Sequence, residues 1–132
     1  MAEKLQFDLV SPERQLMSQA VEMVVVPGAE GEFGVLARHA PMMSTIRPGF
    51  LRVHDGSAAP KRIFVRGGFA EVTPEGLTVL AEYAVPEEDI DRAAIEQSLK
   101  DAEEDAADAK TDEARQAARQ RADDLRQVLE AL

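Results

Sequence analysis

The sequence predicts an α+β protein of segregated type, with an N-terminal antiparallel β-sandwich followed by a C-terminal antiparallel α-helical hairpin. Two observations predict it. All 8 glycines lie at or before Gly76, all 7 prolines at or before Pro86 and every aromatic at or before Tyr83, so turn chemistry and bulky core side chains stop together. Beyond that point the apolar residues change period from two to three and four. The expected division is 1–86 for the sandwich and 87–132 for the hairpin, one real hydrophobic core with a smaller appendage in a chain of 132 residues.

The strands follow in order. Leu5, Phe7 and Leu9 alternate with Gln6 and Asp8, which turns one face inward. Glu22-Met23-Val24-Val25-Val26 is apolar on both faces and fits a buried strand ended by Pro27-Gly28. Gly28-Ala29-Glu30-Gly31-Glu32-Phe33-Gly34 reads as a flexible inter-strand loop, because it lacks the Lys-Ser/Thr of a phosphate cradle. Lys61 to Arg66 and Leu77 to Glu82 read as further strands, with turns at His54-Asp55-Gly56 and Pro74-Glu75-Gly76.

In the last third, Ile95, Leu99, Ala102, Ala106 and Ala109 step by four and three, a single narrow helical stripe. Ala114, Ala118, Ala122, Leu125, Leu129 and Leu132 repeat the rule. Two matched seams imply a hairpin, with its turn near Lys110 and Thr111-Asp112-Glu113 supplying a hydroxyl cap and first-turn acids to the second helix. The seam is mostly alanine. At roughly 25 cal/mol per Å² each contact contributes little, so closure is expected to be marginal. Two readings stand side by side: a switch that opens, and a fixed alanine-rich coiled coil.

Charge is as uneven as composition. Up to Pro86 there are 8 basic and 10 acidic residues; beyond it 7 and 15, within a net charge of −10. That sign repels phosphate backbones and anionic membrane faces, so nucleic acid is not an expected partner. The absence of cysteine excludes disulfides and thiolate metal sites. The Met1-Ala2-Glu3-Lys4-Leu5 start shows neither a secretory signal nor a spanning helix. Any membrane association is expected through a partner.

Nothing in the sequence assembles a nucleophile with a base, a metal cluster or a paired acid. No catalytic residue, metal or cofactor is expected. His54 belongs to a turn and His39 has no partner in sequence; the acidic run at Asp101, Glu103, Glu104, Asp105 and Asp108 lacks a calcium-loop pattern and reads as a solvated helix face. Arg115, Arg119 and Arg126, spaced by four and seven, line one edge of the second helix. They are open to two readings: pairing with Asp112, Asp123 and Glu130, or docking onto an acidic protein surface.

Gly31-Glu32-Phe33-Gly34-Val35-Leu36, followed by His39-Ala40-Pro41-Met42-Met43 and Ile46-Arg47-Pro48-Gly49, resembles the epsilon-subunit family of bacterial F-type ATP synthases. The resemblance extends through Asp8-Leu9-Val10-Ser11-Pro12-Glu13, Val65-Arg66-Gly67-Gly68-Phe69-Ala70-Glu71-Val72 and Leu77-Thr78-Val79-Leu80-Ala81, and weakens in the helices. It implies a ten-stranded sandwich bound to the gamma subunit at the foot of the central stalk and resting on the c-ring. The chain would be non-catalytic, coupling c-ring rotation to ATP synthesis from the cytoplasmic side of the bacterial inner membrane, as a peripheral part of the complex.

By the same resemblance Glu32, Arg38, His39 and Met42 are candidate c-ring contacts. Ala37-Arg38 stands where the family often has Pro-Gly, which puts the local turn in question. The hairpin in the family can extend to the alpha and beta subunits and oppose ATP hydrolysis, which favours docking for Arg115, Arg119 and Arg126. A nucleotide motif opening the first helix is matched at Ile90-Asp91 but carries Ala94 and Ile95 where Arg and Ala belong. Asp91 and Arg92 are thus weak nucleotide-binding candidates, lacking a guanidinium fork for an anion. From other classes come two alternatives, a coiled-coil adaptor and a small-ligand binding module with a helical lid. Exposed apolar strand residues such as Phe64 are expected to contribute to the stalk interfaces.

Overall fold

The computed structural model describes residues 3–56 and 58–132, so the Met1-Ala2 start lies outside the described residues. The chain forms two compact units that divide between Glu88 and Asp89. The first holds eight strands: β1 (Leu5–Val10), β2 (Gln15–Val21), β3 (Met23–Gly28), β4 (Gly31–Leu36), β5 (Met42–Thr45), β6 (Gly49–His54), β7 (Lys61–Thr73) and β8 (Gly76–Pro86). The resemblance had implied ten strands; eight stand among the described residues.

Two long strands organise the unit. β7 and β8 pair antiparallel from Ile63↔Pro86 to Thr73↔Gly76. The first part of β7 also pairs with β6, at Lys61 to Val65, and the last part with β5, at Phe69 to Val72. β3 and β4 extend the sheet beyond β6, whereas β1 and β2 extend it beyond β8, with β1 running parallel to β8 at Phe7↔Leu77 through Val10↔Leu80. The two halves fold into the layers of a sandwich around one core. Leu5, Phe7 and Leu9 of β1 meet Val24, Val26 and Val35 of β3 and β4 there, with Leu51, Val53, Ile63, Val65, Val72, Leu77 and Val79. Alternation in β1 buries the three residues the sequence pointed inward.

Three local expectations are corrected. The Gly-rich segment is not a flexible loop: Gly31–Leu36 is β4, paired residue by residue with β3 down to Gly28↔Gly31. Glycine here serves a tight connection, with Gly31 at φ 136. β3 is buried at Val24 and Val26 but only half-buried at Met23 and Val25, so its outer face is not core. Pro27 and Gly28 belong to the strand instead of ending it.

The second unit comprises α1 (Arg92–Asp108) and α2 (Asp112–Ala131), preceded by a 3-10 turn at Glu87–Asp89 that spans the division. Asp91 caps α1 by accepting from the Ala94 N–H at 3.2 Å, and Thr111 caps α2 by accepting from the Ala114 N–H at 3.1 Å. Asp112 and Glu113 occupy the first turn of α2, where the helix dipole favours acids. Ala102, Ala118, Ala122 and Val128 are buried, Ile95, Leu99, Ala106, Ala109, Leu125 and Leu129 half-buried. Ala114 is exposed and so lies outside the seam the spacing assigned it to. No described helix is long and apolar enough to cross a membrane.

Two backbone positions carry strain or its relief. Gly67 and Gly68 have φ 73 and 91, midway along β7 where it passes from β6 to β5. A Cβ on Gly68 would run into the Leu80 carbonyl. At Ala37-Arg38 the turn survives without glycine: Arg38 itself takes φ 67, and the His39 N–H donates to the Leu36 carbonyl at 3.1 Å. An L-residue in this left-handed region costs about 1–2 kcal/mol.

Gly68→Ala is therefore expected to lower stability by about 2–3 kcal/mol, read as a lower urea midpoint; an unchanged midpoint would show that the bend accepts a side chain. Arg38→Gly is expected to be more stable than Arg38→Ala by about 1 kcal/mol, since both lose the guanidinium and only glycine relieves the backbone. Equal or reversed thermal midpoints for the two would show that the turn is unstrained.

Candidate interaction sites on the sandwich and the hairpin

Arg38 and His39 sit on the connection from β4 to β5, and Met42 opens β5. Arg38 is highly exposed and its guanidinium pairs with Glu3. His39 is half-buried with Nδ1 2.7 Å from the Ala40 carbonyl, which orients the ring. Arg38 and His39 line one shallow recess with Glu3, Thr73 and Pro74, so the β7–β8 turn lies beside them. Leu36, Met42 and Met43 add exposed apolar surface at 57%, 38% and 60%.

Glu32 is not part of that group. It opens β4 opposite Pro27, whereas Arg38 follows the strand's far end. Leu36 lies four residue steps along the strand from Glu32, about 13 Å at an ordinary strand rise. Its carboxylate accepts from Arg52 Nη2 at 3.3 Å, on the neighbouring part of the sheet.

Phe64 does not contribute exposed surface as expected: it is fully buried. Its ring meets Phe50 edge-on at 5.7 Å and Tyr83 at 6.2 Å, and the Arg62 guanidinium lies 4.2 Å over Phe50. The exposed apolar strand surface is elsewhere. Val10, Pro12, Phe69 and Leu80 line an open groove of about 490 Å³ on the outer side of the β1, β8 and β7 region, together with Gly68 and Glu82. Register explains the convergence. Val10 pairs with Leu80 and Leu80 with Phe69, and all three point away from the face that carries Leu9, Val79 and Ala70 into the core. Leu80 is 38% exposed. Sequence reading missed this groove; the apolar residues at polar-phase positions of β1, β7 and β8 were its signal.

On α2 the arginines have different partners. Arg115 Nη1 donates to Asp112 at 2.8 Å and Arg126 Nη1 to Asp123 at 2.7 Å, the within-helix pairs that composition allowed. Arg119 has no ion-pair or hydrogen-bond partner among the described residues. Arg121, which the spacing did not single out, reaches across to Asp105 of α1 at 3.2 Å.

At the start of α1, the Asp91 carboxylate is engaged as a cap and Arg92 pairs with Glu96 at 3.3 Å. The two do not converge on a common ligand position. Among the described residues no group of three His, Asp or Glu side chains could hold a metal ion.

Comparison with known proteins draws these features together. The family described as the beta-sandwich domain of the ATP synthase Delta/Epsilon chain matches residues 4–87. An ATP synthase epsilon chain of Parvibaculum lavamentivorans is 57% identical over 128 residues, 97% of each chain. One from Mesorhizobium japonicum is 54% identical over 120 residues, covering 91% of this chain and 89% of that one. In fold, the chain is similar to one in the Euglena gracilis mitochondrial ATP synthase structure containing OSCP, F1 and the c-ring. That superposition has a TM-score of 0.72 at 22% identity and covers 99% of this chain and 82% of that one. The chain belongs to the epsilon chain family of ATP synthase.

Proposed function

We propose that this chain is a rotor subunit of the central stalk, whose sandwich grips the gamma subunit and rests on the c-ring, so that ring rotation is transmitted to the catalytic head. The complex would hold it peripherally at the cytoplasmic face of a bacterial inner membrane. The observation that carries the reading is the groove of Val10, Phe69 and Leu80. An open sheet face ordinarily presents polar side chains, and a contiguous apolar patch on a rigid ladder marks a protein contact. The groove is the proposed seat of gamma. Asp8, Glu71 and Glu82 lie on the same strands, and would favour a basic rim on the partner.

The β4–β5 connection supplies the proposed ring contact through Arg38, His39 and Met42, with Glu32 as a separate contact point. Arg38 keeps a strained backbone on an exposed tip, and such strain is characteristic of sites held for recognition. A free-standing ligand module is less well supported, because the groove is open and apolar and lacks convergent polar groups that would orient a small molecule.

One observation favours a second role. The exposed Arg119, unpartnered among the described residues, gives α2 a cation available for the acidic surfaces of the alpha and beta subunits, so an extended hairpin would restrain ATP hydrolysis. Arg115 and Arg126 join it once released from their local carboxylates.

Leu80→Asp is expected to weaken gamma binding at least about tenfold, as hot-spot losses do, with the thermal midpoint of the free subunit little changed. Undiminished affinity would remove the groove from the interface. Replacing Arg115, Arg119 and Arg126 by alanine is expected to raise ATP hydrolysis by the assembled complex severalfold, as loss of steering charges at an interface would; an unaltered rate would dismiss the restraining role.

A further inference from the structure

The contact between α1 and α2 has two unlike components. Its apolar part is uneven: toward the connection it consists of buried Ala102, Ala118 and Ala122 with half-buried Ala106, whereas buried Val128 and half-buried Ile95, Leu99, Leu125 and Leu129 lie toward the other end. In the alanine stretch, methyl groups bury little area and offer no shaped knobs to specify register. The polar part is specific. Arg121 Nη2 donates to Asp105 at 3.2 Å, and Arg126 Nη2 to Glu103 at 3.1 Å, so two arginines of one helix hold two acids of the other. Arg126 is shared, since its Nη1 also serves Asp123 on its own helix.

The remaining helix pairs behave differently on opening. Arg92–Glu96, Arg115–Asp112 and Arg126–Asp123 lie within one helix and survive separation of the two. The bonds to Asp105 and Glu103 do not. We propose that Asp105–Arg121 and Glu103–Arg126 form an electrostatic latch that sets the register of the hairpin and holds it closed, making closure dependent on ionic strength.

All four side chains of the latch are between 45% and 66% exposed. Salt therefore screens them over a Debye length of about 10 Å at 0.1 M, and each pair shifts the closed-to-open ratio by about two- to fivefold. A latch of this strength holds without locking. If the docking reading of Arg126 is also correct, closure and docking compete for one guanidinium, and an acidic partner surface would open the hairpin by replacing Glu103. That corollary rests on the proposed restraint of hydrolysis; the latch itself does not.

The absence of native cysteine allows a direct test on the full chain. Ser98→Cys and Glu130→Cys place spin labels at exposed positions of the two helices, far from their connection. At low ionic strength a single short distance is expected, with an open population that grows severalfold at high salt as screening removes the pairs. Glu103→Gln with Asp105→Asn is expected to raise the low-salt open population about four- to twenty-fivefold and to abolish its response to salt. Exchanging the charges, Asp105→Arg with Arg121→Asp, is expected to restore closure relative to either single change. Identical distance distributions for the neutral variant and the parent at both salts would overturn the latch, as would an exchange no better than its single components. Because no catalytic head is present, this result is independent of whether the hairpin restrains hydrolysis.

Discussion

The ladder between β7 and β8 is the constraint on which the sandwich depends. Two layers usually divide the strands between them, but here one pair of strands serves both, with β6 bonded to the early part of β7 and β5 to its late part. Such sharing requires the backbone to turn without losing its partner. Gly67 and Gly68 supply that freedom, in conformations a side chain resists and with the Leu80 carbonyl where a Cβ would stand. Around this bend the other strands add on both sides and enclose a single core.

The bend also shapes the outer surface. Phe69 and Leu80 are paired just beyond the glycines, and the parallel placement of β1 brings Val10 alongside. Their groove is thus built on a hydrogen-bonded ladder instead of a loop. The β4–β5 connection is made differently, with Arg38 accepting a left-handed backbone at an exposed tip.

The hairpin obeys other physics. The sandwich is held by Phe, Leu, Ile and Val side chains with no buried charged group among the described residues, whereas the helical unit buries only Ala102, Ala118, Ala122 and Val128 and adds half-exposed ion pairs between α1 and α2. Burial of large side chains is insensitive to salt; exposed ion pairs are not. Within one short chain, a body of fixed shape is joined to an element whose closure is adjustable by its surroundings.

Sequence by itself determined what depends on near neighbours along the chain. Alternation at Leu5, Phe7 and Leu9, the change to helical spacing beyond Pro86, the hydroxyl cap at Thr111 and the turn at Pro74-Glu75-Gly76 are set within a few residues, so composition and period reveal them. Tertiary structure decided whatever required knowing which strands pair. It made Gly31–Leu36 a strand by giving it β3 as a partner, hid Phe64 among Phe50 and Tyr83, and gathered Val10, Phe69 and Leu80 into one groove. It also drew Arg121 to Asp105 across the hairpin, outside the stripe that arginine spacing suggested. The physical reason is common to these cases: period tells which face a residue occupies, but only the long-range register of hydrogen-bonded and packed elements decides what that face meets.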